Sequence, residues 1–239
     1  VTLGLHSRAG RAAACTATLI FAVFSETARA AAPPELRDPE PPALPRAPEH
    51  LRAPIELVPK VVVVLPLCGT GPDTDRCGAL GPAFGSELAA LYRPTPYFAF
   101  GATFGYARAA GSLGANSLLG ERIELSVTGR VYLLETGSLD PYLEGFVGWL
   151  GERTSLARPG AVGDEDSASG PFGRAGGGID WFVTSSLKLG VVGGYSELIF
   201  ASGRRCRAGQ CTSGGAPAST PGGAVTLGIG VSMLMGEAL

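Results

Sequence analysis

ERIELSVTGRVYLLE, residues Glu121 to Glu135, carries the pattern that decides the fold. Ile123, Leu125, Val127, Val131 and Leu133 share one phase, while Arg122, Glu124, Ser126, Thr128, Arg130 and Tyr132 share the other. A period of two over this length is a β-strand. The alternation alone does not say which face looks inward. A soluble barrel hides its apolar side, whereas a membrane barrel turns that side to lipid.

The 239-residue chain holds 19 basic and 21 acidic residues, so no large field of one sign exists and nucleic acid is not an expected partner. Charged residues make up only 17% and hydrophobic ones 45%, and the 36 glycines are too many for a helical protein yet lack a collagen period. Glycine-rich β structure is the class that remains.

Arg8 and Arg11 precede the apolar run AAACTATLIFAVF, Ala12 to Phe24, and the small-residue site ARA, Ala28 to Ala30, follows it. This is the layout of an export signal peptide, assigned to residues 1–30. The run falls well short of the ~20 residues a spanning helix needs. Residues 31–60, dense in proline and charge, read as an extended periplasmic linker, and the barrel is assigned to 61–239. Cys15 leaves with the signal. Export to an oxidising compartment then makes Cys68 with Cys77, and Cys206 with Cys211, two local disulfides. Their spacing does not fit a zinc knuckle, and no metal site is expected.

Eight strands can be placed: Val61 to Leu67, Ala83 to Tyr92, Tyr97 to Ala107, Arg122 to Leu134, Tyr142 to Leu150, Phe172 to Val183, Leu187 to Phe200 and Ala224 to Met235. Most are near the ~9–11 residues that a tilted membrane strand requires. Short connections (Arg93 to Pro96, Glu135 to Pro141, Thr184 to Ser186) alternate with long ones starting at Cys68, Arg108, Gly151 and Ala201. Tight turns on one side and long loops on the other are the arrangement of an antiparallel up-and-down transmembrane β-barrel.

The phases choose the face. One phase holds Phe98, Phe100 and Phe104, Leu143, Val147 and Trp149, Ile179 and Trp181, Leu189 and Val191, and Leu227, Ile229 and Met233, with no charge among them. Arg or Lys facing lipid at mid-bilayer costs about 2–4 kcal/mol, so this is the phase that meets lipid. The opposite phase holds Glu87, Arg122, Glu124, Arg130, Glu144, Arg174, Asp180 and Lys188, expected to form a paired network filling a barrel too narrow for a channel. Tyr92, Tyr97, Trp149 and Trp181 fall near strand ends, where interfacial aromatics belong.

With these motifs, YFAFGATFGYA, GGGIDWFV and AVTLGIGVSML among them, the chain from Val61 to Met235 resembles small outer-membrane barrels of the OmpA/OmpX transmembrane-domain type. Barrel enzymes of that general fold depend on a histidine, and only His6 and His50 exist, one in the signal and one in the linker. No catalytic residue and no cofactor are therefore expected. GRAGGGID, Gly173 to Asp180, lacks the lysine of a phosphate loop, so its glycines read as close packing. Arg204, Arg205 and Arg207 are candidate anion contacts in an outer loop, while DTD (Asp73 to Asp75) and DED (Asp164 to Asp166) read as solvated acidic tips.

The expected protein is a monomeric, integral outer-membrane barrel with a side-chain-filled interior. Its outer loops would serve a structural, adhesive or envelope-interaction role. Outer-membrane lipid, lipopolysaccharide and the outer-membrane assembly machinery are its expected partners. The alternative is a soluble exported lipocalin-like barrel for a small apolar ligand, with a barrel enzyme or narrow channel third.

Overall fold

Alternation of this kind leaves each strand's backbone groups to be paired by neighbours, and in lipid a sheet meets that demand only by closing on itself. The computed structural model describes residues 55–68, 75–134, 138–157, 160, 163–199, 202–215 and 221–236. Its strands are β1 Ile55–Leu67, β2 Ala83–Thr95, β3 Phe98–Leu113, β4 Asn116–Tyr132, β5 Leu139–Ala157, β6 Asp164–Phe182, β7 Leu187–Leu198, β8 Ser202–Arg207, β9 Gln210–Gly215 and β10 Gly223–Met235, with a short helix α1, Asp75–Gly78. Strands β1 to β6 each pair antiparallel with the next, β7 pairs with β10, and β10 with β1. The result is a closed eight-stranded up-and-down barrel, with β8 and β9 forming a hairpin on the upper part of β6.

The opening stretch lies in β4 as its period requires. Arg122, Glu124, Ser126, Thr128, Arg130 and Tyr132 are buried in the barrel, whereas Val127 at mid-strand is 67% exposed. Its exterior neighbours across the sheet are Ala102 and Val147. From Ile123 to Leu133 the exterior of β4 bears no charge, a rise of ~25 Å along a tilted strand, which matches the apolar band of a membrane barrel. Among the described barrel strands, the charged exterior residues Arg108, Glu121, Arg153, Glu165 and Glu197 all lie at the end away from the short turns. Tyr92, Tyr97 and Trp181 are exposed at the turn end of the band and Trp149 near its other edge.

The strands depart from the expected bounds in three places. β1 starts at Ile55, so the last six residues assigned to the linker are barrel wall; the signal and the rest of the linker lie outside the described residues. Trp149 does not end its strand, because β5 and β6 run for 19 residues each, well past what a bilayer requires. The connection placed at Arg108 to Glu121 is a hairpin turning on Gly114 and Ala115, where Gly114 takes a φ of +61°. Above the lipid the outward face meets water, so the apolar signal of that phase fades while the ladder and the buried inner phase continue.

Val127→Arg is expected to destabilise the barrel in lipid vesicles by about 2–4 kcal/mol in a urea titration. Thr128 is 1% exposed and its hydroxyl lies 2.6 Å from that of Thr103. Thr128→Val, which faces the interior, should cost about 1–3 kcal/mol by leaving the buried Thr103 hydroxyl unpaired.

Candidate functional site

All eight charged residues expected inside, Glu87, Arg122, Glu124, Arg130, Glu144, Arg174, Asp180 and Lys188, are on the interior face and at most 7% exposed. Glu56, Lys60, Asp140 and Glu152 join them. Glu56 and Lys60 were hidden in the proline-rich segment, Asp140 in a turn and Glu152 in a loop. Alternation extended beyond the apolar core of each strand is the signal that finds them.

The side chains form two layers. Near the turn end, Arg130 donates to Glu144 at 3.0 Å, and Lys188 lies 3.0 Å from Glu56 and 3.4 Å from both Asp140 and Asp180. The Tyr132 hydroxyl donates to Glu56 at 2.7 Å, and the Arg130 guanidinium lies 3.9 Å from the centre of the Tyr142 ring. Arg93 closes the bottom, 3.0 Å from Asp140 and stacked 3.6 Å over Tyr132. In the layer above, Arg174 forks onto Glu87, reaches Glu124 at 3.2 Å and lies over Phe146. Lys60 connects the layers, 3.5 Å from Glu87 and 3.6 Å from Glu144. Arg122 donates to Glu124 at 2.6 Å, Glu152 at 2.8 Å and the Ser196 hydroxyl at 2.9 Å.

Burying one such ion alone costs several kcal/mol, and alternating signs with shared hydrogen bonds is what makes the stack tolerable. Glycine supplies the space for the rings: a Cβ at Gly178 would stand 2.5 Å from the Tyr142 hydroxyl. Little room is left. A hollow of about 10 Å³ remains beside Glu87, Arg122 and Glu124, and one of about 40 Å³ lies at the mouth beside Leu80 and Thr154.

That mouth is stoppered by an apolar cluster that includes Val62, Val64, Leu80, Ala109, Leu118 and Leu156. Leu80 arrives from the connection between β1 and β2. There it bridges to Gly111, and the Gly81 N–H donates to the Ala110 carbonyl at 3.1 Å. Position 111 admits only glycine, because a Cβ there would stand 2.0 Å from the Ala79 carbonyl oxygen. The Cys68–Cys77 disulfide braces this connection, and Arg76 pins it to β6 at 2.8 Å from Asp164 and 3.5 Å from Asp166.

The second disulfide, Cys206–Cys211, links β8 to β9 across the turn at Ala208 and Gly209, which take φ of 47° and 84°. The arginines of this hairpin are not all outward, and the aspartates below them are not solvated, contrary to expectation from the sequence. Arg207 donates to both oxygens of Asp166, at 2.6 and 2.8 Å, and Arg205 lies 3.8 Å from the same residue. Strand alternation puts residues 205 and 207 on the phase of the buried aspartates, so only Arg204 of the three candidate anion contacts turns to the exterior. Asp164 and Asp166 are buried, not solvated tips.

Among the described residues there is no histidine and no group of three or more potential metal ligands; His6 and His50 lie outside them. Glu144 and Asp180 are held by Arg130, Lys60 and Lys188, not paired as an acid and base. Arg130→Met should cost roughly 3–5 kcal/mol by leaving the buried acids of the lower layer, Glu144 foremost, in excess over Lys60 and Lys188, and adding Glu144→Gln should recover part of that loss. A double-mutant cycle in urea reads both values.

The chain matches no protein-family model and no curated protein. Among solved structures it is similar to a major outer membrane protein from Thermus thermophilus, at 12% identity and a TM-score of 0.50, covering 76% of this chain and 99% of that one. It is also similar to the outer membrane protein OprG from Pseudomonas aeruginosa, at 11% identity and a TM-score of 0.49, covering 79% and 98%. Neisserial surface protein A aligns at 13% identity and a TM-score of 0.46, covering 75% and 96%. At these identities the likeness is one of fold, that of the small outer-membrane β-barrels.

Proposed function

We propose that the protein is an integral outer-membrane barrel that conducts no ions, performs no chemistry, and serves the envelope through the part that stands above the lipid. The observation that carries this reading is the filled interior. Two layers of ion pairs and an apolar stopper occupy the axis where a channel would run, with hollows of about 10 and 40 Å³ between them. The same filling disfavours a lipocalin-like carrier, which needs an apolar cavity, and the apolar exterior of every barrel strand disfavours a soluble protein. The long strands beyond the band, the β8–β9 hairpin and the braced connection of α1 then form a stiff outer platform for structural or adhesive contact, with the short turns and both chain ends of the barrel in the periplasm.

Single cysteines report this orientation. Ala115→Cys, at the β3–β4 turn, is expected to react with a membrane-impermeant maleimide on intact cells. Ser185→Cys, between β6 and β7, should react only after the outer membrane is opened. The opposite pattern, or recovery of the chain in the soluble fraction, rejects the placement. In planar bilayers the protein should give no stable unitary steps; discrete steps of constant size reject the closed interior.

A further inference from the structure

The exterior of the sheet changes character within three residues as it leaves the lipid, and the register sorts that change into rows. The lowest row is apolar: Leu125, Trp149 and Pro171 lie side by side on β4, β5 and β6. Above it runs a row of small side chains beside one aliphatic residue, Ile123, Gly151, Ser169 and Ser202. The next row reads Glu121, Arg153, Ser167, Arg204 and Ser213 from β4 to β9. The small residues leave a hollow of about 540 Å³ between the aliphatic side chain below and the two arginines above.

We propose that this hollow binds the phosphorylated saccharide headgroup of a glycolipid in the outer leaflet; the proposal rests on the outer-membrane reading. Position selects the occupant. The hollow opens directly above the apolar wall, so a molecule seated in it has its acyl chains lying against Leu125 and Trp149. Arg153 and Arg204 stand two strands apart, a separation of roughly 10 Å, with Ser167 between them. Guanidinium groups bind phosphate through forked, charge-assisted hydrogen bonds, and serine hydroxyls both donate to and accept from sugar hydroxyls.

The local charge balance leaves one cation for the ligand. Glu121 lies 4.0 Å from Arg108 and accepts from the Tyr106 hydroxyl at 3.3 Å, and Glu165 holds Arg153 at 2.6 Å. Arg204 has no carboxylate partner among the described residues. Its neighbours on β8, Arg205 and Arg207, are taken by Asp166 on the other face, and the Cys206–Cys211 disulfide holds the hairpin that presents it.

The test uses the full chain folded in phosphatidylcholine nanodiscs and titrated with purified lipopolysaccharide, with the same lipopolysaccharide stripped of phosphate, and with inorganic phosphate as competitor. The phosphorylated form is expected to bind roughly ten-fold more tightly than the stripped form, and Arg153→Gln with Arg204→Gln should abolish that preference. Arg205→Gln, on the opposite face, should preserve it. Equal affinity for the two forms, or an unchanged preference in the double variant, overturns the site. Full displacement by inorganic phosphate overturns the lipid as its occupant. A heat-dependent shift on gels establishes that each variant is folded, and Arg204→Gln alone, on the hairpin outside the barrel wall, carries the test should the double variant not fold. Failure of the wild-type chain to enter the bilayer is visible before any titration and rejects the outer-membrane reading instead.

Discussion

The seam between β1 and β10 is the contact on which the rest of this structure depends. Hydrocarbon offers no water to an unpaired N–H or C=O, so a sheet that crosses it must have no edge. Here the first strand closes against the last from Ile55 opposite Met235 to Leu67 opposite Gly223. Pro59 brings no N–H to this ladder, and the register with β10 is interrupted at Val58 and Pro59. It resumes in the same phase at Lys60, while the pairing with β2 runs through the gap. One missing donor is tolerated because the strand is held from the other side.

Closure creates an interior that must be filled, and lipid dictates what fills it. Charge excluded from the outer phase has only the inner phase to occupy, where eight strands leave space for side chains and little else. Isolated charges there would be prohibitive, so the residues come as alternating acids and bases, with hydroxyls such as those of Tyr132 and Ser196 taking some of the remaining hydrogen bonds. Lys60 contributes to both layers, so the interior strengthens the same seam that creates it.

Legibility in the sequence followed the solvent. Within the lipid band every second residue is under strong selection by the medium, and both the strands and the direction of each face could be read from Ile123, Leu125 and Val127 against Arg122, Glu124 and Thr128. Where the medium stops discriminating, so does the pattern. Glu56, Pro59 and Lys60 look like linker because two charges and a proline in five residues cannot belong to a soluble core, yet in this barrel the charges face inward. The outer strand ends, such as Ser167 to Gly170 and Ala109 to Ser112, are small or polar and bear no hydrophobic rhythm. Nothing in the spacing of Cys206 and Cys211 says that the loop between them is half of a hairpin, although a local disulfide already limited it to a tight turn.

Above the membrane, alternation takes a different use. The inner phase of β6 carries Asp164 and Asp166, which bind Arg76 from the β1–β2 connection and Arg205 and Arg207 from β8, drawing separate connections onto one strand. These pairs sit over a closed barrel with the apolar stopper beneath them, so the two aspartates are shielded from water while Arg205 and Arg207 stay partly exposed, all outside the ion-pair stack of the interior. Because the inner phase is spent on holding the platform together, the outer phase is released from structural duty. Its Arg204 stands on a hairpin cross-linked by Cys206–Cys211 and its Arg153 on a strand paired on both sides, and such presentation would limit the conformational entropy lost on binding a partner. The period of two that reveals the barrel in Glu121 to Glu135 thus continues past the lipid as a division of labour between the two faces of the same strands.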